Sequence, residues 1–171
     1  MSTQRHRFRT QVQPGDAAAI ERLVRGTGVF SEAETRIARE LVEENLARGD
    51  DGSGYRFVIA DGTDSIDGYA CFGEIPATDR RYELYWIAVR RESRRTRLGQ
   101  QLMKAAEDAV RALDGAYLFA ETSTTANYEP ARKLYLAQGY ERVASIADWH
   151  ADGDGLEIYG KRLERSPGSP L

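Results

Sequence analysis

Arg90, Arg91, Arg94, Arg95 and Arg97 stand together against one acid, Glu92, in a chain of 171 residues whose formal net charge is −3. Such a local reversal of sign suits an anion. Guanidinium groups donate charge-assisted hydrogen bonds to phosphate oxygens. The helix that opens at about Gly99 would add unpaired backbone N–H groups and the positive end of its dipole. A phosphate-bearing ligand is one reading of the loop, and a solvated basic turn is the other. Carboxylates able to move a proton stand near strand ends at Glu74, Glu83 and Glu121. Glu121 directly follows apolar Tyr117 to Ala120, so partial desolvation is expected there, which raises a carboxyl pKa.

The elements around the loop can be read from their periodicity. Leu84 to Val89 is short, apolar and rich in β-branched and aromatic residues, as in a buried strand. From Gly99 onward, Leu102, Ala106, Ala109, Val110 and Leu113 recur at helical spacing, and Asp114-Gly115 ends the run. Ala116 to Glu121 reads as the next strand. A strand–helix–strand crossover of this length returns the chain parallel to the strand before it. A parallel pair in an otherwise antiparallel sheet would leave a splay where a ligand can enter.

Upstream, Phe8 to Val12 alternates as a first strand, and Gln13-Pro14-Gly15-Asp16 turns into a helix N-cap. The first helix is expected over about Ala17 to Arg25, closed by Gly26 and Gly28. Ser31 and Glu34 form a capping box for a second helix to about Arg48, followed by a loop over 49–54. Tyr55 to Ala60 and Ile66 to Ile75 form a hairpin across Asp61-Gly62-Thr63-Asp64. Downstream, Pro130 opens a short helix that Gly139 caps. Strands over Tyr140 to Ala147 and Leu156 to Lys161 follow, and 165–171 reads as a disordered tail.

These elements predict a single α/β (α+β) domain over 1–164. It has a mixed, mostly antiparallel sheet of six or seven strands flanked by about four helices and splayed between strands four and five. No apolar stretch is long enough to span a bilayer and no secretory signal opens the chain, so a soluble cytoplasmic protein is expected. Cys71 is the only cysteine and His6 and His150 the only histidines, which gives a metal site no support. The acidic balance gives no push toward nucleic acid or membrane, and no aromatic stacking pattern accompanies the arginines.

Two motifs carry a resemblance to the GCN5-related N-acetyltransferase superfamily. Arg94-Arg95-Thr96-Arg97-Leu98-Gly99 is similar to its Q/R-x-x-G-x-G/A signature at the first and last positions, with Arg97 where the family has glycine. Ala131-Arg132-Lys133-Leu134-Tyr135-Leu136-Ala137-Gln138-Gly139-Tyr140 closely resembles A-x-x-x-Y-x-x-x-G-F/Y. The resemblance implies an acetyl-CoA-dependent N-acetyltransferase that passes acetyl directly to an amine acceptor, and folds of this kind are commonly dimeric. By the same resemblance the backbone of Ile87, Ala88 and Val89 would hold the pantetheine arm. Arg94, Arg95, Arg97, Leu98, Gly99 and Gln100 would face the pyrophosphate, and Asn127 and Arg132 would complete the donor pocket.

Tyr135 would be the general acid, with Glu121 and Glu83 competing for the base and Glu74 behind them. Val29, Phe30, Glu34, Trp149 and His150 are candidates for the acceptor side. If Arg97 sits at φ > 0 it costs roughly 1–2 kcal/mol; alternatively its guanidinium pairs with phosphate. A binding or interaction module that has lost turnover through Arg97 is the rival to the enzyme.

Overall fold

The computed structural model describes residues 6–94 and 96–164. The first five residues, Arg95 and the segment 165–171 lie outside the described residues, and with them the expectations of a phosphate-facing Arg95 and a disordered tail. Seven strands and four α-helices form among the described residues. In order they are β1 (Arg7–Arg9), α1 (Asp16–Thr27), α2 (Glu32–Ser53), β2 (Arg56–Asp61), β3 (Ile66–Glu74), β4 (Arg81–Val89), α3 (Leu98–Ala112), β5 (Tyr117–Ser123), α4 (Glu129–Ala137), β6 (Glu141–Ala151) and β7 (Asp154–Arg162). The strands are hydrogen-bonded in the order β1-β2-β3-β4-β5-β7-β6. β4 and β5 run parallel, while β1–β2, β2–β3, β5–β7 and β6–β7 are antiparallel. This is the mixed, mostly antiparallel sheet with one parallel pair that the crossover argument predicts.

The chain divides into two compact units, Met1–Gly73 with Trp86–Ala106 and Glu74–Tyr85 with Glu107–Leu171. In the first, β2 and β3 are buried almost throughout, and Phe57 stacks on Tyr69 with ring centroids 6.4 Å apart. Ile20, Leu23 and Val24 of α1, Ala38 and Val42 of α2, and Leu98, Leu102 and Met103 of α3 are buried at helical intervals. Cys71 is buried there as a small hydrophobe.

Several boundaries differ from the sequence reading, and in the N-terminal half each has an identifiable physical reason. β1 stops at Arg9, short of the expected Val12. The Arg9 guanidinium bonds back to the Gln11 carbonyl and to the carboxylates of Asp16 and Asp61, so the chain turns instead of extending. Asp16 is the first helical residue, and its carboxylate accepts from the Gln13 N–H; Gly15 is the cap. Gly26 stays inside α1, and only Gly28, left-handed at φ 69°, ends it.

The capping box at Ser31 and Glu34 forms as expected. The expected loop 49–54, however, contains a further helical turn beyond a break at Gly49 (φ 69°, ψ −179°). Asn45 holds that turn by donating to Asp50 and to the Tyr55 carbonyl.

In the second unit β5 lies between β4 and β7, and β6 is the outer strand. β6 is exposed along nearly its whole length, with Val143, Ile146 and Trp149 among the exposed large side chains. Its register to β7 shifts between Arg142 and Ala144 and again between Ile146 and Ala151, where Asp148 is left-handed at φ 54°. Bulges of this kind protect a sheet edge from unwanted pairing.

Gly115 closes the α3–β5 turn in a place with no room. A β-carbon there would lie 2.3 Å from Val110 Cγ1, 2.8 Å from the Val110 carbonyl oxygen and 2.9 Å from the Tyr82 ring. Gly115→Ala is therefore expected to lower unfolding stability by about 2 kcal/mol or more, read from denaturant midpoints.

Candidate active site

Within the second unit, Arg81 to Leu84 pair in parallel with Tyr117 to Ala120. The pairing ends there, leaving Tyr85 and Glu121, next along each strand, outside the register. Paired residues share a face and alternate residues change face. Leu84, its partner Ala120 and, across β7, Tyr159 therefore fall on one face, while Glu83 and its partner Phe119 fall on the other. Glu121, two residues beyond Phe119, shares the face of Glu83. The first face is closed, with Leu84, Leu118, Ala120 and Tyr159 all buried. The second is open: Glu83 and Phe119 are half-buried and Glu121 is exposed.

That difference separates the two carboxylates by their exposure to solvent. The desolvation expected at Glu121 falls on Glu83 instead. Burial, and then the negative charge of Glu121, push the Glu83 carboxyl up to about 7. Glu74 is exposed at the end of β3. Tyr135 projects from α4 onto the closed face, its ring centroid 5.6 Å from that of Tyr159 and 5.9 Å from that of Tyr140. Burial, and then the neighbouring Tyr159, raise its phenol above the ordinary value, so the hydroxyl keeps its proton at neutral pH. Tyr159 is held in turn by donating to Glu157 at 2.7 Å.

Pro130 sits in the first turn of α4 and Gly139 follows it at φ 82°, as the sequence motif requires. Arg132 is half-buried, and its guanidinium donates to the carbonyls of Ser123 and Thr125, so it shapes the turn between β5 and α4. Asn127 is exposed in that same turn. Thr122, next to Glu121 on β5, has a buried hydroxyl with no hydrogen-bond partner among the described residues. Trp149 and His150 are exposed on β6.

In the first unit, β4 runs out through Ile87, Ala88 and Val89 into the arginine loop, and α3 begins at Leu98. Leu98 is buried and anchors the helix start, Gly99 is half-buried, and Gln100 and Arg97 are exposed. The first turn of α3 contains no acid. Its first helical hydrogen bond reaches from the Gln101 N–H to the Arg97 carbonyl, so the N–H groups of Leu98, Gly99 and Gln100 stand ahead of the ladder, as at any helix start. Arg97 is left-handed at φ 64°, the backbone shape that the sequence family fills with glycine.

This start, with its free N–H groups, exposed Arg91 and Arg97 and lack of acid, fits a pyrophosphate. Arg94 instead donates to the Thr27 carbonyl at 3.2 Å, holding the end of α1. Of the residues proposed for the acceptor side, Glu34 completes the capping box, and Phe30 packs on Trp86 with ring centroids 4.9 Å apart. Arg97→Gly is expected to raise stability by about 0.5–1 kcal/mol. Relief of the left-handed strain exceeds the added chain entropy, and thermal melting reads the difference.

Among the described residues no group of side chains could hold a metal ion, and no helix is long and apolar enough to cross a membrane. No curated protein matches the chain. A solved structure from Desulfovibrio desulfuricans, assigned to the GNAT family of acetyltransferases, is 39% identical, with a TM-score of 0.91 over 94% of this chain and 100% of that one. The ribosomal-protein-S18-alanine N-acetyltransferase of Escherichia coli shares the fold at 16% identity, with a TM-score of 0.73 over 98% of this chain and 99% of that one. An aminoglycoside 6′-N-acetyltransferase complexed with coenzyme A does so at 17% identity and TM-score 0.73, over 95% of this chain and 99% of that one. The profile of the acetyltransferase (GNAT) family matches residues 18–140. With more than half of its length matched by that profile, this chain belongs to the acetyltransferase (GNAT) family.

Proposed function

We propose that this chain transfers an acetyl group from acetyl-CoA directly to an amine acceptor. The observation that carries the reading is the pair of proton-handling groups where the β4–β5 pairing ends: Glu83 on the open face and Tyr135 against the closed one. An amine reaches the reaction as an ammonium and must lose a proton before it can attack. A carboxylate with a pKa near 7 is matched to that task at neutral pH. The departing sulfur needs a proton, and the Tyr135 hydroxyl, kept protonated by burial, can give one.

Acetyl-CoA supplies the activated thioester. The amides at the start of α3, with Arg97 and Arg91, would hold its phosphates, and the backbone of Ile87 to Val89 would hold its amide-rich arm as an added strand does. Arg97 is exposed and takes the left-handed backbone course that suits glycine, so its guanidinium is accessible to solvent and to a phosphate. This supports donor binding over a loop blocked by the substitution. The solved E. coli and aminoglycoside enzymes carry names that specify a protein alanine and an aminoglycoside as acceptors, and either class is consistent with an open carboxylate-bearing face.

The test is a panel of primary amines, amino sugars and peptides with free N-termini, incubated with acetyl-CoA. Free thiol and acetylated product would be measured together. Equal yields of thiol and amide, with no thiol released and no acetyl left on the protein when amine is omitted, support direct transfer; thiol release without any acetylated amine contradicts it.

A further inference from the structure

An acid within a buried strand requires a reason, and Asp67, the second residue of β3, is such an acid. One carboxylate oxygen is 3.0 Å from Nε2 of His6, and the other lies 3.5 Å from Nε of Arg90. The His6 and Asp67 side chains are 4% and 12% exposed, so this charge is held within the fold. The backbone repeats the link: the Arg90 N–H donates to the Asp67 carbonyl at 2.7 Å, and the Arg90 guanidinium donates to the Ile66 carbonyl at 3.0 Å. Space is reserved for the carboxylate as well, since a β-carbon on Gly62 would stand 2.5 Å from Asp67 Cγ.

Arg90 is the residue on which the arginine loop turns out of β4. Its carbonyl accepts from the Ser93 N–H and closes the short 3-10 turn Arg91–Ser93. Asp67 thus fixes both ends of Arg90, main chain and guanidinium, at the root of the loop.

We propose that Asp67 is a positioning residue for the phosphate-binding loop, acting through Arg90 and braced by His6. It touches no ligand. Its effect is to hold the loop in its binding shape before the ligand arrives, so that ordering the loop does not subtract from affinity. The proposal rests on the reading of the loop as the CoA phosphate site, and two readouts keep the failures apart.

Titration of CoA and of pantetheine, which lacks the phosphates, compares the parent with Asp67→Asn. The variant is expected to weaken CoA about tenfold, the equivalent of one lost charge-assisted contact, and to leave pantetheine unchanged. Hydrogen exchange without ligand compares the parent with Arg90→Gln, a change at a more exposed position that serves if Asp67→Asn folds poorly. The amides of Ser93 and Arg94, which close on Arg90 and Arg91, are expected to exchange about tenfold faster in the variant. Unchanged exchange in Arg90→Gln overturns the proposal, as does an equal loss of CoA and pantetheine affinity in Asp67→Asn. A parent that binds no CoA, but whose loop exchange responds to Arg90→Gln, retains the positioning role and removes the donor-site reading instead.

Discussion

Glu83→Gln is expected to slow acetyl transfer at pH 8 by about two orders of magnitude, the range lost with a positioned general base. In the parent, kcat/KM is expected to rise with pH through a midpoint of about 7, because only the ionised carboxylate accepts the proton. In the variant that limb disappears. Glu121→Gln removes the second cause of the raised value, the neighbouring negative charge, so the midpoint moves below that of the parent. Stability has its own signature. The folded carboxyl holds its proton up to about 7 against an ordinary 4.5, so between these values the folded state binds more protons and stability falls as pH rises. Glu83→Gln lacks this penalty. Its melting temperature should exceed that of the parent at pH 8, with the gap closing as pH falls toward 4.5. A kcat/KM profile unchanged in shape by Glu83→Gln would remove Glu83 from the chemistry.

Tyr135→Phe carries the second large effect, a fall in kcat of about a hundredfold with CoA affinity unchanged. The ring remains to pack against Tyr140 and Tyr159, so the fold loses only a hydroxyl. Truncation to alanine would instead empty the cluster at a cost of about 3–5 kcal/mol and confound activity with stability. The phenylalanine variant separates the roles. A melting temperature close to that of the parent with lost turnover marks a proton donor. Retained turnover marks Tyr135 as a packing residue, and the proton for the sulfur would then come from elsewhere.

What could be read from the sequence was what is local. The Ser31–Glu34 capping box, the α3 stripe and the Pro130–Gly139 helix each depend on residues a few positions apart, and each formed; the parallel β4–β5 pair followed from the length of a single crossover. The misplaced boundaries depend on distant partners. β1 ends early because Arg9 finds Asp61, and the extra turn of α2 survives because Asn45 reaches the Tyr55 carbonyl.

The desolvation expected at Glu121 was misplaced for the same reason. An apolar run before Glu121 says nothing of which face its side chain takes, whereas the register against β4 puts Glu83 beside Phe119 and leaves Glu121 exposed. Asp67 gave a signal that could have been used, an acid inside a strand of Ile66, Gly68, Tyr69 and Ala70, but its partners at His6 and Arg90 are visible only in three dimensions.

The most direct test of acetyl-CoA-dependent transfer is calorimetric titration of acetyl-CoA into the parent and into Arg97→Gly. The account predicts stoichiometric binding by the parent and affinity about tenfold weaker in the variant, which keeps the backbone course but loses the guanidinium. No binding by the parent, with binding gained in the glycine variant, would contradict it: the loop would then be a closed site and the chain a relative of the acetyltransferases that does not use their donor.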